Sequence, residues 1–165
     1  MELQLQELEQ VISLKEKEFF YNSLDEHFNE FDLKPKHKRK KTVNLTFENT
    51  IINDLVNRLS LKYFNLTDLK FEYRLHKYVK DLEIPEHTDK TLFSLIYQFT
   101  DIPGFKFYYD NKWHDFCYDS NKILLCFDTK SEHYGFTTIS HKFSNQTKFL
   151  RYSLTIHVDH DLDIR

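Results

Sequence analysis

Apolar and polar positions along this chain follow two different rhythms. From Glu2 to Phe31 the apolar side chains Leu5, Leu8, Val11, Ile12, Phe19 and Phe20 recur at roughly 3.6 residues, with Gln, Glu and Lys between them. That spacing predicts one long amphipathic helix. A second helix is predicted from Thr46 to Ser60, where Ile51, Ile52, Leu55, Val56 and Leu59 gather on one face. Neither face carries chemistry, and both read as supports laid against something flat. From Phe71 onward the rhythm shortens. Runs rich in Phe, Tyr, Ile and Thr cover Phe71–Val79, Leu92–Phe99, Phe105–Tyr109, Lys112–Tyr118, Ile123–Phe127, Phe136–Phe143 and Phe149–Val158, broken by Pro, Gly, Asn and Asp. Short strands separated by turn residues predict a β-sandwich or barrel. "YYDNKWHDF" reads as a hairpin about Asp110-Asn111.

Composition narrows the picture. A chain of 165 residues predicts a single domain, residues 1–165, with the helices in 1–60 and a β-rich core in 70–158. Sixteen Phe, ten Tyr and 40% apolar residues supply a packed interior and exclude a disordered chain. The formal charge of −3 is too small to name a partner. "KPKHKRKK", Lys34–Lys41, packs six positive charges into eight residues and reads as a solvated connector between the helices. Cys117 and Cys126 have no CxxC spacing, which predicts reduced, buried thiols and a cytoplasmic setting. No apolar run approaches the roughly 20 residues of a membrane span, and the N-terminal stretch has no secretory h-region.

The chemistry concentrates in the second half. His87, Thr88 and Asp89 form a His-x-Asp triplet; on a strand, positions i and i+2 share a face, so His87 and Asp89 can ligate one ion while Thr88 points away. His141 follows Asp89 by 52 residues, enough chain for several strands to return to the same place. Two histidines and a carboxylate hold a metal on one face and leave the opposite positions open, as in the facial triad of non-haem Fe(II) oxygenases. The triplet alone proves little. With nine His and fourteen Asp in the chain, about one such triplet is expected by chance. A second copy, His157/Asp159, has almost no chain after it and is set aside. The last strand sharpens the reading. In "RYSLTIHV", Arg151, Ser153, Thr155 and His157 share one face, and Tyr152, Leu154, Ile156 and Val158 the other. A two-faced last strand ordinarily marks an edge facing water. Here the polar face opens with a guanidinium and a hydroxyl, the pair needed to hold a carboxylate.

Taken in order, these pieces resemble the 2-oxoglutarate/Fe(II)-dependent dioxygenase superfamily, and most of all its isopenicillin N synthase-like branch. "HTDKTLFSLIYQ" resembles that branch's His-Thr-Asp leading into a buried strand. "DIPGFKFYYDNKWHDF" resembles the following hairpin, "TTISHKF" the strand bearing the distal histidine, and "RYSLTIHV" the Arg-x-Ser strand. The likeness spans about Phe71 to Val158. It implies a mainly β double-stranded β-helix (jelly roll, cupin-like) with N-terminal helices, and Fe(II) on His87, Asp89 and His141. It also implies 2-oxoglutarate held through its distal carboxylate by Arg151 and Ser153. "RLHKY" resembles the upstream strand whose tyrosine contacts the same carboxylate, which adds Tyr78. The activity so implied is a hydroxylase or demethylase that couples O2-dependent decarboxylation of 2-oxoglutarate to oxidation of a small molecule or macromolecule. "RYSLTIH" also resembles the Arg-x-Asn-x-Thr-x-Arg strand of AlkB-like nucleic-acid demethylases, with Ser153 and His157 in place of the Asn and second Arg. In that alternative Lys34–Lys41 would grip phosphates. A non-catalytic jelly-roll binding module is the other alternative.

Overall fold

The computed structural model describes residues 3–32, 40–45, 49–80 and 82–162. Its elements in chain order are α1 (Leu5–Leu8), β1 (Glu9–Val11), α2 (Leu14–His27) with a 3-10 turn at Phe28–Asp32, β2 (Lys40–Leu45), α3 (Thr50–Phe64), β3 (Lys70–Tyr78), β4 (Glu83–His87), β5 (Phe93–Gln98), β6 (Phe105–Tyr109), β7 (Lys112–Asp115), β8 (Lys122–Phe127), a 3-10 turn at Thr129–Tyr134, β9 (His141–Ser144) and β10 (Arg151–Asp159). Two antiparallel sheets result. The larger has the order β1-β8-β5-β10-β3-β2, the smaller β4-β9-β6-β7. The fold is mainly β with N-terminal helices, as the strand rhythm predicts.

The larger sheet sorts its residues by parity. On β10, Leu154, Ile156 and Val158 are buried against the helices, while Arg151, Ser153, Thr155 and His157 line a cavity between the sheets. β3 does the same, with Tyr73 and Leu75 on one side and Arg74, His76 and Tyr78 on the other. Aromatic contacts tie the helical layer down. The Phe20 ring lies 5.0 Å from that of Tyr97, and Phe64 stacks on Phe93 at 5.6 Å. α3 presents Ile52, Leu55, Val56 and Leu59 to this layer, the i, i+3, i+4, i+7 pattern of a helix with one buried stripe.

The N-terminal helix is not continuous. Glu9–Val11 pairs with β8, Glu9 opposite Leu124, so the chain closes one edge of the larger sheet before α2 begins. Ser13 then starts α2, accepting from the Glu16 backbone N–H while the Glu16 side chain accepts from Ser13 N–H, a capping box. Val11, counted in the helical stripe, is 71% exposed as a result. α3 is displaced from the predicted Thr46–Ser60 because Asn49 caps it, accepting from Ile51 and Ile52 N–H. Of the basic run Lys34–Lys41, residues 34–39 lie outside the described residues, and Lys40-Lys41 open β2, an unexpected strand paired with β3.

Strand bounds moved where local signals mislead. Phe136–Phe143 contracts to His141–Ser144, because 129–134 forms a 3-10 turn closed by Gly135 at φ 84°. Lys112–Tyr118 ends at Asp115. The hairpin turn stands as expected, with Asp110 and Asn111 at φ 52° and 63°, the left-handed pair of a type I′ turn. Among the described residues no helix is long and apolar enough to cross a membrane. Neither cysteine forms a disulfide; Cys126 is buried on β8 as expected, but Cys117 is exposed, because β7 ends at Asp115 and leaves it in the connection to β8.

Candidate functional site

The sequence-predicted residues converge on the cavity between the sheets, about 110 Å³ in volume. His87 ends β4 and His141 begins β9, and the two are register partners across that ladder. Their rings lie 4.2 Å apart. Asp89 follows two residues beyond β4, tied by its carbonyl to Thr129 N–H at 3.2 Å. His87 Nε2 stands 3.9 Å from Asp89 Oδ1, and His141 Nε2 3.5 Å from Asp89 Oδ2. One donor atom from each of the three falls within 4.8 Å of the others. An octahedral ion with oxygen or nitrogen at about 2.1 Å needs adjacent donors about 3.0 Å apart. The three donors are thus within a side-chain adjustment of a common ion.

The protonation chemistry fits a metal. His87 Nδ1 lies 2.9 Å from the Pro85 carbonyl oxygen, which can only accept, so Nδ1 carries a hydrogen and Nε2 is the nitrogen turned toward Asp89. Metal-bound histidines are held in this way by their second nitrogen. Burial pushes the His141 imidazole down to about 4, against the opposing pull of the Asp89 charge. His141 is therefore a neutral imidazole at physiological pH, the form that ligates. Phe105 covers it, ring to ring at 5.7 Å and nearly parallel.

Arg151 occupies another part of the same cavity and is 1% exposed. Its Nη1 donates to Ser153 Oγ and its Nη2 to Gln98 Oε1, both at 3.2 Å. Three rings surround the guanidinium: Phe143 at 4.2 Å, Tyr78 at 5.0 Å and Phe105 at 5.5 Å. Nε is buried without a hydrogen-bond partner. Burial brings the Arg151 guanidinium down to about 10, with Tyr78 offsetting part of the fall. Among the described residues no carboxylate pairs with it. β10 is a central strand, flanked by β3 and β5, so its polar face is the inner wall of the cavity and not an edge in water.

Gln98, Phe105 and Phe143 contribute to the site without having been picked out from the sequence. Gln98 sits on β5 at the position paired with Ser153, a placement that only the register reveals. His157, set aside as a chance motif, also faces the cavity, with Nδ1 3.9 Å from Asp89 Oδ2. Its apparent partner Asp159 instead takes an ion pair from Lys130 Nζ at 2.5 Å.

A scan of protein-family models finds no match, and no curated protein matches the sequence. Solved structures do. A Pseudomonas putida prolyl-4-hydroxylase superposes with TM-score 0.67 at 13% identity, covering 93% of this chain and 91% of its own. A full-length Neurospora crassa protein, in complex with alpha-ketoglutarate (2-oxoglutarate) and thymine, gives TM-score 0.61 at 12% identity over 90% of this chain and 73% of its own. The Arabidopsis thaliana dioxygenase for auxin oxidation 1, in a 2-oxoglutarate binary complex, gives 0.56 at 15% identity over 68% and 48%. At these identities the likeness is one of fold: the chain has the double-stranded β-helix of the 2-oxoglutarate oxygenases.

Proposed function

We propose that this protein is a 2-oxoglutarate- and Fe(II)-dependent oxygenase, a hydroxylase or demethylase acting on a small molecule or macromolecule. Arg151 carries the reading. A fully buried guanidinium with neutral partners has lost its hydration without gaining an opposite charge, which costs several kcal/mol. A dianionic co-substrate supplies the missing charge. Arg151 and Ser153 bind its distal carboxylate, with Tyr78 alongside. Gln98 holds the guanidinium in place through Oε1 at 3.2 Å, and the Phe105 and Phe143 rings exclude water and strengthen the ion pair. His87, Asp89 and His141 hold the metal, two neutral imidazoles and one carboxylate on one face. The iron with O2 and 2-oxoglutarate supplies the oxidising chemistry; the protein supplies orientation and shelter.

Anaerobic addition of Fe(II) and 2-oxoglutarate tests this directly. The expected result is a visible metal-to-ligand charge-transfer band, lost in His87→Ala. A folded, metal-loaded protein that shows no band refutes it. Release of succinate from 2-oxoglutarate without added substrate separates an enzyme from a non-catalytic module of the same fold.

A further inference from the structure

Asp89 has a third imidazole neighbour. His157 Nδ1 approaches the same oxygen, Oδ2 at 3.9 Å, that His141 Nε2 approaches at 3.5 Å. With Asp128, His157 and Asp89 form a second set of donor atoms within 4.8 Å of one another. Two of its members, His157 and Asp128, are joined in a chain of hydrogen bonds. Ser94 Oγ lies 2.8 Å from His157 Nδ1 and donates to Asp128 Oδ2 at 2.6 Å, and Thr91 Oγ1 donates to the same oxygen at 2.6 Å. With both hydroxyls donating, Asp128 Oδ2 is the acceptor of the pair. Ser94 has one hydrogen, and it goes to Asp128. In that arrangement Ser94 Oγ accepts from His157, and the hydrogen of that imidazole is on Nδ1. Ser94 and Asp128 are fully buried, so this polarity is built into the interior.

The same frame holds both carboxylates. Thr129 N–H donates to the Asp89 carbonyl at 3.2 Å, Lys130 N–H to that of Thr91 at 3.2 Å, and Asp128 N–H to that of Leu92 at 3.1 Å. The segment after β8 is stitched to the segment after His87, and the side-chain chain from Asp128 to His157 crosses the same junction. We propose that His157 is a positioning residue for the metal centre: its Nδ1 is tethered to Ser94 Oγ, which Asp128 holds, and the ring so fixed stands 3.9 Å from Asp89 Oδ2, where it closes one side of that carboxylate and sets its direction toward the ion. The proposal rests on the metal set assigned above. It gives work to a histidine that an Arg-x-Ser pair does not require.

Metal affinity is the readout, followed by the loss of the free Mn(II) electron paramagnetic resonance signal as Mn(II) is titrated into metal-free protein. Partners of metal ligands typically contribute 10–100-fold in affinity. His157→Ala and His157→Gln are expected to weaken Mn(II) by at least about 10-fold. In His157→Asn the side-chain amide stands where Nδ1 did, and affinity is expected within about threefold of wild type. Circular dichroism melts check that each variant is folded. Should His157→Ala fail to fold, Ser94→Ala frees the imidazole from its tether and is expected to weaken Mn(II) in the same direction. Wild type that binds Mn(II) alongside an equally tight His157→Ala overturns this proposal and leaves the metal set standing. Loss as complete as in His141→Ala overturns it too, by making His157 a ligand. Wild type that binds no Mn(II) removes the metal set itself.

Discussion

Replacing Arg151 with Met separates what the guanidinium costs from what it does. Methionine fills a similar volume and carries no charge. The fall of the Arg151 guanidinium from 12.5 to about 10 corresponds to about 3 kcal/mol spent on keeping it charged in the interior. Against this stand its hydrogen bonds to Gln98 and Ser153, at about 1 kcal/mol each, and the contacts with three rings. The two sides nearly cancel. Ligand-free Arg151→Met is expected to melt within about 4 °C of wild type, since 1 kcal/mol shifts a chain of this size by about 2–4 °C. Binding tells a different story. Truncating one side of a buried ion pair costs about 2–5 kcal/mol, which raises the 2-oxoglutarate Kd between about 30-fold and several thousand-fold. Wild type with Mn(II) in place of iron, at 100 times Kd, gains about 2.7 kcal/mol from 2-oxoglutarate, a shift of about 5–11 °C; the variant at the same concentration is expected to gain about 0.9 kcal/mol or less, at most a third of that shift. Differential scanning fluorimetry with and without 2-oxoglutarate, backed by calorimetric titration, reads both quantities. A variant that binds 2-oxoglutarate like wild type refutes the assignment. One that loses well over 3 kcal/mol without ligand shows that Arg151 is chiefly structural.

Other outcomes follow from the same geometry. Unfolded chain takes up a proton on His141 near 6.5, whereas the folded metal-free protein does so near 4. The unfolded state therefore binds more protons through that window, and stability falls as pH drops from 6.5, by about 3 kcal/mol at pH 4. Urea midpoints at pH 7 and pH 4.5 should show this loss in wild type, beyond whatever acidic titration His141→Gln retains; identical pH dependence in both would refute it. Gly104 sits at φ 124°, and a Cβ there would collide with the Ser144 carbonyl oxygen, so Gly104→Ala should lose about 3 kcal/mol or more, measured by thermal melt. Thr88 faces outward beside the metal ligands and is exposed; Thr88→Ala should leave Mn(II) affinity and melting temperature unchanged, and a large effect on either would contradict the placement of the triplet.

The alternation on β10 was readable from the sequence because side-chain parity is a local property. Which face meets water was not, since that depends on β3 and β5 lying on either side of the strand. The triplet and His141 were readable as residue types in order. Gln98, Phe105 and Phe143 were not, because a glutamine or phenylalanine becomes a site residue only when register brings it to Arg151. The place of His157 in the cavity was hidden for a related reason. Motif arithmetic weighed it with Asp159, its neighbour in sequence, while the fold gives it to Asp89. The break in the N-terminal helix was hidden because Leu8, Val11 and Ile12 keep helical spacing; the pull of an unpaired β8 edge leaves no mark within that stretch.

One strand carries Arg151 and Ser153, the proposed carboxylate anchor, and His157, whose ring stands near Asp89, all on one face of alternating positions. Inserting or deleting a single residue near its start would rotate this whole set to the helical side and bring Tyr152, Leu154 and Ile156 into the cavity, while every backbone rung could still be filled. Such a lesion would leave a chain that keeps its β-sheet signature yet has lost the guanidinium, the hydroxyl and the imidazole from the cavity in one stroke.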